Sequence, residues 1–250
     1  MTGNDESDVT YPEFYRLTNG DLIFVYRSGS SGNGNLVMNR YDLKTRKWKR
    51  VQNILIDGEN QRNAYLQLYV DNANAIHLSW VWRETPDVSS NHDLCYARSH
   101  DGGVSWEKST GEKYQLPITA KNAEYVWHIP QNSELINQTS MCADSQGNPC
   151  IATYWRDSGS LVPQYRAVWF DSKRKQWEMK TIMQRNSPFS LSGSGTKKIP
   201  ISRPQIIIDN KSSKGKIFLI FRDEERGNKV SLAMWNKEGN NLSIRDLTDF

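Results

Sequence analysis

The stretch Leu68–Arg83 reads LYVDNANAIHLSWVWR: two alternating apolar runs separated by a turn rich in Asn and Asp. Alternation with a period of two is typical of half-buried β-strands, and the polar turn between the runs predicts a β-hairpin. The second run ends in an aromatic residue followed by arginine. The same arrangement recurs in Glu13–Arg27 (EFYRLTNGDLIFVYR), Met141–Arg156 (MCADSQGNPCIATYWR) and Gln205–Arg222 (QIIIDNKSSKGKIFLIFR).

The spacing of these hairpins indicates the architecture. Their arginines are 56, 73 and 66 residues apart, which suits one propeller blade with loops of variable length. The sequence therefore predicts an all-β fold, a β-propeller of four-stranded antiparallel blades with about four blades present. We expect a linker or disordered segment over 1–10 and one propeller domain over 11–250. The expected blades span 11–60, 61–120, 136–185 and 200–250.

A second repeated feature follows the third strand of a blade. Ser99–Trp106 reads SHDGGVSW and fits the Asp-box pattern S-x-D-x-G-x-[ST]-W; looser versions occur at Asp42–Trp48 and Asp171–Trp177. The Asp side chain can accept from backbone N–H groups of the turn, the glycines allow positive φ, and the tryptophan packs between sheets. We therefore expect Asp101 and His100 to have a structural role and none in an active site.

Blade topology predicts which loops share a face. The B–C loops and D–A connections open on one face, here called the top, where propellers usually carry their site; Asp-boxes fall on the other. The four aromatic-Arg endings should bring their arginines together around one axis at the top. Guanidinium groups bind carboxylate or sulfate, and amides match sugar hydroxyls. The predicted substrate-binding residues are Arg27, Asn33, Arg62, Asn63, Tyr65, Arg83, Asn137, Gln138, Gln164, Arg203 and Arg222.

Composition excludes some partners and leaves others open. A net charge of +4, dispersed along the chain, argues against a nucleic-acid groove. The most apolar run, Ile217–Phe221, is too short to span a bilayer, and no export signal is visible.

Cys95, Cys142 and Cys150 lack metal-binding spacing, so we expect them to be buried thiols. Cys142 and Cys150 flank a turn, and a bridge between them stays open. We predict no certain cofactor. Asp- and Asn-rich runs could hold structural calcium, but turn chemistry explains them equally well.

Several longer segments resemble a known family. RNAYLQLYVDNANAIHLSWVWRET, NHDLCYARSHDGGVSW, LINQTSM and IATYWRD are similar to the BNR-repeat group that contains ulvan lyases and related uronate-cleaving polysaccharide lyases. The likeness covers about 11–177. It implies a seven-bladed parent propeller of which this chain would hold part, a periplasmic or secreted location, and an acidic polysaccharide as partner. The oligomeric state stays open.

The resemblance also implies a reaction and residues for it. Such lyases break the bond at C4 of a uronic acid by β-elimination, which needs a cation to neutralise the carboxylate, a base for the C5 proton and an acid for the leaving oxygen. His92 matches the catalytic histidine and Arg156 the neutralising arginine. His128 is a candidate second histidine, and Tyr65 and Tyr165 are the tyrosine candidates. His77, six residues before Arg83 on one strand, lies about 20 Å from the top at strand rise, so we expect it to be satisfied within the blade.

Other functions stay open on the sequence alone. A sialidase-like hydrolase would need a tyrosine nucleophile, a glutamate and a top-face Asp; Glu84, Glu124-Tyr125 and Asp157 leave that open. A non-catalytic propeller that binds acidic sugars is the second alternative. A protein-interaction platform would require exposed apolar patches instead of an Arg, Asn and His face, and the repeat endings argue against it.

Overall fold

The computed structural model describes residues 2–3, 6–137, 140–193, 195, 197–209, 215–237 and 241–249. Within them, sixteen strands form four separate four-stranded antiparallel sheets, each with its strands in chain order. Blade 1 contains β1 (Val9–Arg16), β2 (Leu22–Ser30), β3 (Asn33–Asp42) and β4 (Lys47–Ile56), and blade 2 contains β5 (Asn63–Val70), β6 (Ile76–Arg83), β7 (Asn91–Ser99) and β8 (Glu124–Trp127). Blade 3 contains β9 (Ser140–Ala143), β10 (Pro149–Trp155), β11 (Gln164–Asp171) and β12 (Gln176–Thr181), and blade 4 contains β13 (Gln205–Asp209), β14 (Lys216–Arg222), β15 (Val230–Asn236) and β16 (Ser243–Asp246). Two short 3₁₀ turns cover Val88–Ser90 and Glu224–Arg226.

This architecture confirms the predicted all-β, propeller-type fold, with two local corrections. β1 begins at Val9, inside the segment expected to be a linker or disordered. β8 spans Glu124–Trp127, so blade 2 continues beyond residue 120. In blade 1, Ser30 pairs with Asn33, so a two-residue turn separates β2 from β3. Gly32 in that turn has a φ of +78°, the left-handed conformation that a tight hairpin turn requires.

Neighbouring blades pack face to face through separate apolar layers. Blades 1 and 2 meet around Met38, Trp80 and Trp106, while blades 3 and 4 meet around Phe221 and Trp235. β6 is buried along its whole length because blade 2 is covered on both faces. Burying large apolar side chains stabilises the fold by about 1.5–3 kcal/mol each, so these interblade layers hold the top-face loops in place.

The Asp-box turn has the structural role that its sequence predicts. Asp101 Oδ1 accepts from the N–H groups of Val104 at 3.0 Å and Ser105 at 2.9 Å. Trp106 is buried and donates its indole N–H to the carbonyl of Gly103. Both glycines of the box have positive φ. The box thus closes the turn of blade 2 and anchors a tryptophan between blades.

The three cysteines and His77 lie inside the blades. All three cysteines are buried and free, so Cys142 and Cys150 face each other across β9 and β10 without a bridge. His77 is fully buried between Asp71 and Tyr96, as predicted for a histidine satisfied within the blade. In the described part of the chain, no helix is long and apolar enough to cross a membrane.

Candidate functional site

A cavity of about 450 Å³ opens where blades 1 and 2 meet the connection between blades 3 and 4. Its volume lies within the range of ligand pockets. Its walls are formed by residues of β1, the β2–β3 turn, β5, the end of β6 and the segment after residue 190. The lining residues are Tyr11, Ser31, Tyr65, Arg83, Pro86, Val88, Ile136, Asn137, Leu191, Gly195, Lys197, Ile199 and Arg203. We call this the Tyr65 cavity.

Tyr65 is held between two of the repeat-ending arginines. The guanidinium carbons of Arg27 and Arg83 lie 5.2 and 5.3 Å from the centre of its ring. Its hydroxyl is 2.8 Å from Ser31 Oγ and 3.5 Å from an Arg83 nitrogen. Burial raises the pKa of Tyr65, but the hydrogen bonds from Ser31 and Arg27 and the charge of Arg83 outweigh burial and lower that pKa below its usual value. The site therefore stabilises a negative charge on the Tyr65 oxygen more than water does.

Tyr11 lies against Tyr65 and has the opposite tendency. The two rings meet edge to face with centroids 5.1 Å apart. Burial, the nearby Tyr65 charge and a hydrogen bond with the Tyr65 hydroxyl raise the pKa of Tyr11. Tyr11 is 39 % exposed whereas Tyr65 is 2 % exposed, so Tyr11 is the member of the pair that a ligand can reach. A pair whose environments push the two pKa values apart is suited to moving a proton.

The backbone at Tyr11 is strained. Its φ is +52°, which is rare for an aromatic residue, and Pro12 follows it. The β1–β2 register shifts between Thr10 and Glu13, which marks a bulge at this position. Bulges redirect side chains and are frequent beside active sites. Here the bulge places the Tyr11 ring over Tyr65 and beside Arg27, whose guanidinium carbon is 5.0 Å from the Tyr11 ring centre.

The cavity is cationic. Arg83, Lys197 and Arg203 line it, and no Asp or Glu occurs among its lining residues. Arg83 donates to the carbonyls of Thr85 and Pro86, which fixes its guanidinium at the mouth of the β6–β7 loop. Three cations around one concave surface attract a carboxylate or sulfate, and the Asn137 amide adds a group that can bind hydroxyls.

His92 lies outside the Tyr65 cavity, in a separate charged cluster. Its Nε2 is 2.8 Å from Glu84 Oε1 and its Nδ1 is 2.9 Å from Asp93 Oδ2. Burial lowers the pKa of His92, but the hydrogen bonds with Asp93 and Glu84 outweigh burial and raise it. Glu84 also accepts from Arg62 at 2.8 Å. With a carboxylate at each ring nitrogen, the imidazolium form is favoured, and this form has no lone pair to accept a proton.

His128 joins the edge of the same cluster. Its Nδ1 lies 3.3 Å from Asp93 Oδ1, and its ring stacks on Tyr125 at 4.9 Å. The His128 side chain is 79 % exposed. The structure therefore brings the two predicted histidines together around Asp93, and neither is among the residues that line the cavity. Asp93 itself has a φ of +53°, a second strained position at the top of blade 2.

The other catalytic candidates occupy structural positions. Tyr165 is fully buried, and its hydroxyl bonds the carbonyls of Ser202 and Arg222 at 3.0 and 2.9 Å. Burial raises the pKa of Tyr165. The predicted role in catalysis is therefore corrected to one in packing between blades 3 and 4. Arg156 donates to the carbonyl of Ser160 within its own loop and is not among the cavity residues.

The predicted substrate-binding residues divide into groups. Tyr65, Arg83, Asn137 and Arg203 line the cavity, and Arg27 supports it from behind Tyr65. Arg222 lines a second cavity and Asn33 a third, so the four repeat arginines do not all converge on one axis. Residues with internal partners are Arg62, paired with Glu84; Asn63, which accepts from Gly32; and Gln164, which bonds Arg185. Gln138 lies outside the described residues.

Sequence reasoning missed three polar residues that line the cavity. Tyr11 was recognised only as the first residue of the propeller domain, although its position next to Pro12 is a local signal of a break in the ladder. Ser31 belongs to the β2–β3 turn. Lys197 lies in the connection between blades 3 and 4, which the blade topology already assigned to the top face. A basic pair there, Lys197-Lys198, is the signal that could have found it.

Within the described ranges, no group of three or more His, Cys, Asp or Glu side chains is placed to hold a metal ion. The aspartates of the turns instead accept backbone N–H groups, as Asp144 does from Asn148 and Asp171 from Lys173.

Residues 1–185 match the model of a BNR repeat-containing family member. The chain belongs to the BNR repeat-containing family. Among curated relatives, it is 42 % identical over 155 residues to an ulvan lyase, short isoform, of Alteromonas sp. (strain LOR), a match that covers 53 % of this chain and 29 % of the relative. It is 25 % identical over 201 residues to an ulvan lyase, long isoform, of Pseudoalteromonas sp. (strain PLSV), a match that covers 69 % of this chain and 20 % of the relative. The chain thus spans less than a third of the length of these two relatives.

Two solved structures share the fold of this chain. An ulvan lyase bound to -[GlcA(1-4)Rha3S]- superimposes with a TM-score of 0.69 at 16 % identity, covering 95 % of this chain and 55 % of that one. A Penicillium chrysogenum α-L-arabinanase bound to arabinobiose superimposes with a TM-score of 0.56 at 14 % identity, covering 97 % of this chain and 67 % of that one. At these identities the likeness establishes the shared fold of this family member.

Proposed function

We propose that this chain carries the active site of a polysaccharide lyase that cleaves an acidic, uronate-containing polysaccharide by β-elimination. The main support is the Tyr65 cavity, where three cations surround a tyrosine pair with opposed pKa tendencies. The similarity to ulvan lyases supports the same reaction class. Because a polymer of this kind does not cross membranes, we expect the protein to act outside the cytoplasm.

Elimination makes two demands that the cavity can meet. The C5 proton of a uronate becomes acidic only when its carboxylate is neutralised, and Arg83, Lys197 and Arg203 supply that neutralising charge. In the proposed step, Tyr65 is the phenolate, and Tyr11 accepts the C5 proton while its own phenolic proton passes to the Tyr65 phenolate. The C5–H electrons form the C4–C5 double bond, and the C4–O4 bond breaks. The Tyr11 hydroxyl then donates its proton to O4 and takes back the proton held by Tyr65, which restores the starting Tyr11 hydroxyl and Tyr65 phenolate.

A sialidase-like hydrolase is less well supported. That chemistry requires a glutamate next to the tyrosine and an acid facing the substrate, and the residues that line the Tyr65 cavity include neither. Of the acids considered for this role, Glu84 is engaged with Arg62 and His92, and Asp157 pairs with Arg166. Glu124 binds Ser109 and Trp177.

The test is an incubation with a panel of 4-linked uronate polysaccharides, followed by ultraviolet absorbance, because elimination alone leaves a conjugated unsaturated uronate. We expect a rise in absorbance that Tyr11→Phe abolishes. Reducing sugar released without a rise would mean hydrolysis, and binding without either product would mean a sugar-binding propeller; each result contradicts the lyase proposal.

A parallel comparison separates the two candidate centres. His92→Ala should leave most of the elimination activity, since His92 lies outside the cavity with both nitrogens occupied. If His92→Ala abolishes elimination and Tyr11→Phe does not, the lyase assignment stands but proton transfer belongs to His92, as the family resemblance implies.

A further inference from the structure

The two looser Asp-boxes carry a positive charge that the box of blade 2 lacks. Residues 42–48 and 171–177 together hold six Lys or Arg and two Asp, a net charge of +4. That value equals the net charge of the whole chain, so the rest of the chain is neutral overall. The excess charge is therefore concentrated, and not dispersed as composition suggested. All six cations are exposed, and we call them the basic turns: Lys44, Arg46, Lys47, Lys173, Arg174 and Lys175.

One position in each basic turn places a cation on a strained backbone. Arg46 lies four residues after Asp42, and Lys175 lies four residues after Asp171. Their φ angles are +54° and +55°, in the left-handed region that favours glycine. The box of blade 2 has glycines at its positive-φ positions. Two repeats thus carry a cation where glycine would be less strained, so turn geometry does not explain the choice of residue.

Most of these cations are not neutralised by nearby carboxylates. Arg174 lies 3.8 Å from Asp171 and 3.2 Å from Glu178. Within the part of the chain that the structure describes, no ion pair involves Lys44, Arg46, Lys47 or Lys175. The turn aspartates accept backbone N–H groups, as Asp42 does from Thr45 at 2.8 Å.

The acids of the neighbouring inner turns are neutralised within their own blades or by the next blade. These turns join the first and second strands and open on the same face as the basic turns. The pairs are Asp21 with Arg40, Asp71 with His77, and Asp144 with Lys237. The field at this face is therefore set by the basic turns.

The basic turns lie on the face opposite the Tyr65 cavity. β3 begins beside the turn that contains Ser31, which lines the cavity, and ends at Asp42, where the first basic turn begins. β3 has ten residues, so about 30 Å separates its two ends at strand rise. The second basic turn follows β11, the third strand of blade 3, and therefore opens on the same face as the first. Blade 2 lies between the two turns, so a partner that contacts both must be broad.

Two exposed apolar side chains accompany the cations on this face. Leu43, directly before Lys44, is 49 % exposed, and Val104 in the box of blade 2 is 60 % exposed. The turns that carry them are in contact, because Gln52 of β4 donates to the carbonyls of Gly103 and Val104 at 2.8 Å each. Apolar side chains gain free energy at a lipid interface, whereas a soluble polyanion leaves them in water. The combination favours a lipid surface.

We propose that this face docks on an anionic lipid surface, with the basic turns against the headgroups and Leu43 and Val104 at the interface. Lys and Arg clusters are attracted by the negative potential of anionic lipids, and two clusters one blade apart fit a broad charged surface. Docked in this way, the protein would present the Tyr65 cavity to the solution. The proposal does not depend on the reaction in that cavity.

The test measures cosedimentation of the full chain with phosphatidylcholine vesicles that contain or lack phosphatidylglycerol. We expect binding that requires phosphatidylglycerol and weakens with salt. Arg46→Asn/Lys175→Asn removes one cation from each basic turn, and asparagine tolerates the left-handed backbone. This variant should lower the partition coefficient about 30-fold, since each cation near an anionic surface contributes about fivefold. The matched control, Lys197→Gln/Lys198→Gln, reaches the same net charge on the cavity face and should bind like the wild type.

A third variant separates a lipid surface from a soluble polyanion. Leu43→Ser/Val104→Ser should weaken binding to the phosphatidylglycerol vesicles about tenfold and leave binding to dextran sulfate unchanged. Wild-type binding that ignores phosphatidylglycerol would overturn the proposal. Equal losses in the two charge variants would also overturn it, because binding would then follow net charge alone. Vesicle binding that Leu43→Ser/Val104→Ser does not alter would assign the face to soluble polyanions instead.

Discussion

At the scale of single residues, the hydroxyl of Tyr11 carries the proposed chemistry. Tyr11→Phe keeps the ring that packs on Tyr65 and removes only the oxygen that exchanges protons. We expect kcat to fall by about 10²- to 10⁴-fold, the usual contribution of a positioned proton-transfer group. Substrate affinity should change little, because the cationic residues remain. Steady-state kinetics followed by the absorbance of the unsaturated product measures both quantities.

Tyr41→Phe is the matched control for this variant. Tyr41 also belongs to blade 1 and packs on an aromatic ring, that of Trp48, but it does not line the cavity. It should retain the wild-type rate. A Tyr11→Phe protein as active as Tyr41→Phe would remove the tyrosine pair from the mechanism.

The pH dependence of the reaction depends on the arginines behind Tyr65. The charges of Arg83 and Arg27 lower the pKa of Tyr65, so the phenolate that accepts the proton forms at lower pH than usual. Activity should therefore rise with pH through this lowered pKa. Arg83→Gln removes one charge, raises the pKa of Tyr65 and should shift the rising limb of the profile of kcat/KM against pH to higher pH. An unshifted limb would show that a different group is the base.

At the scale of elements, the Asp-box turn of blade 2 should matter for stability and not for catalysis. Asp101→Ala removes the acceptor for two backbone N–H groups and for the hydroxyls of Ser99 and Ser105. We expect the free energy of unfolding to fall by about 1–2 kcal/mol, as for the loss of a capping side chain. Urea denaturation measures this change, and kcat of the folded protein should be unaltered.

The looser box of blade 3 provides the comparison for that prediction. Asp171 accepts from the N–H groups of Lys173 and Arg174, and its carboxylate lies 3.8 Å from the Arg174 guanidinium. Asp171→Ala should therefore destabilise the protein less than Asp101→Ala does. Equal effects would mean that the extra hydroxyl contacts of the first box contribute nothing.

Elements were more predictable than side-chain partners. Period-two alternation and the aromatic-Arg endings predicted the second strand of all four blades, and each lies in a four-stranded sheet. The end of blade 2 was missed because β8 is only four residues long and follows a long connection. Arg83 lines the cavity, and Arg27 packs on Tyr65 behind it. Arg156 and Arg222 are not among the lining residues, since the loops that follow β10 and β14 supply their acceptors.

The contacts of His92 show a second limit of prediction from the sequence. His92 is the second residue of β7. What the ring contacts depends on Glu84, at the opposite end of the β6–β7 loop, and on the left-handed backbone of Asp93. Sequence spacing contains neither the loop path nor the φ angle, so the two carboxylates at His92 could not be foreseen.

At the scale of the whole molecule, the Tyr65 cavity and the second cavity, which Arg222 lines, depend on how blades 3 and 4 are joined. The connection from β12 to β13 supplies Lys197, Lys198 and Ile199 to the two cavities, so any change in the path of this connection alters both cavities together. Arg185, early in this connection, is tied to Asp223 at the end of blade 4's second strand. Both side chains are fully buried, so water cannot replace either partner.

Breaking this buried pair should therefore affect stability and binding at once. Asp223→Leu leaves the Arg185 guanidinium buried without its main partner, and we expect a loss of about 3–5 kcal/mol in the free energy of unfolding. Replacing both residues, as in Arg185→Met/Asp223→Leu, should recover most of that loss, because no uncompensated charge remains. Glu178→Gln, which breaks the exposed pair with Arg174, should change stability by less than about 1 kcal/mol. Denaturation curves of the wild type and the three variants measure these changes in the free energy of unfolding. A double variant as unstable as Asp223→Leu would mean that this pair does more than balance charge, because its geometry would itself fix the connection that lines both cavities.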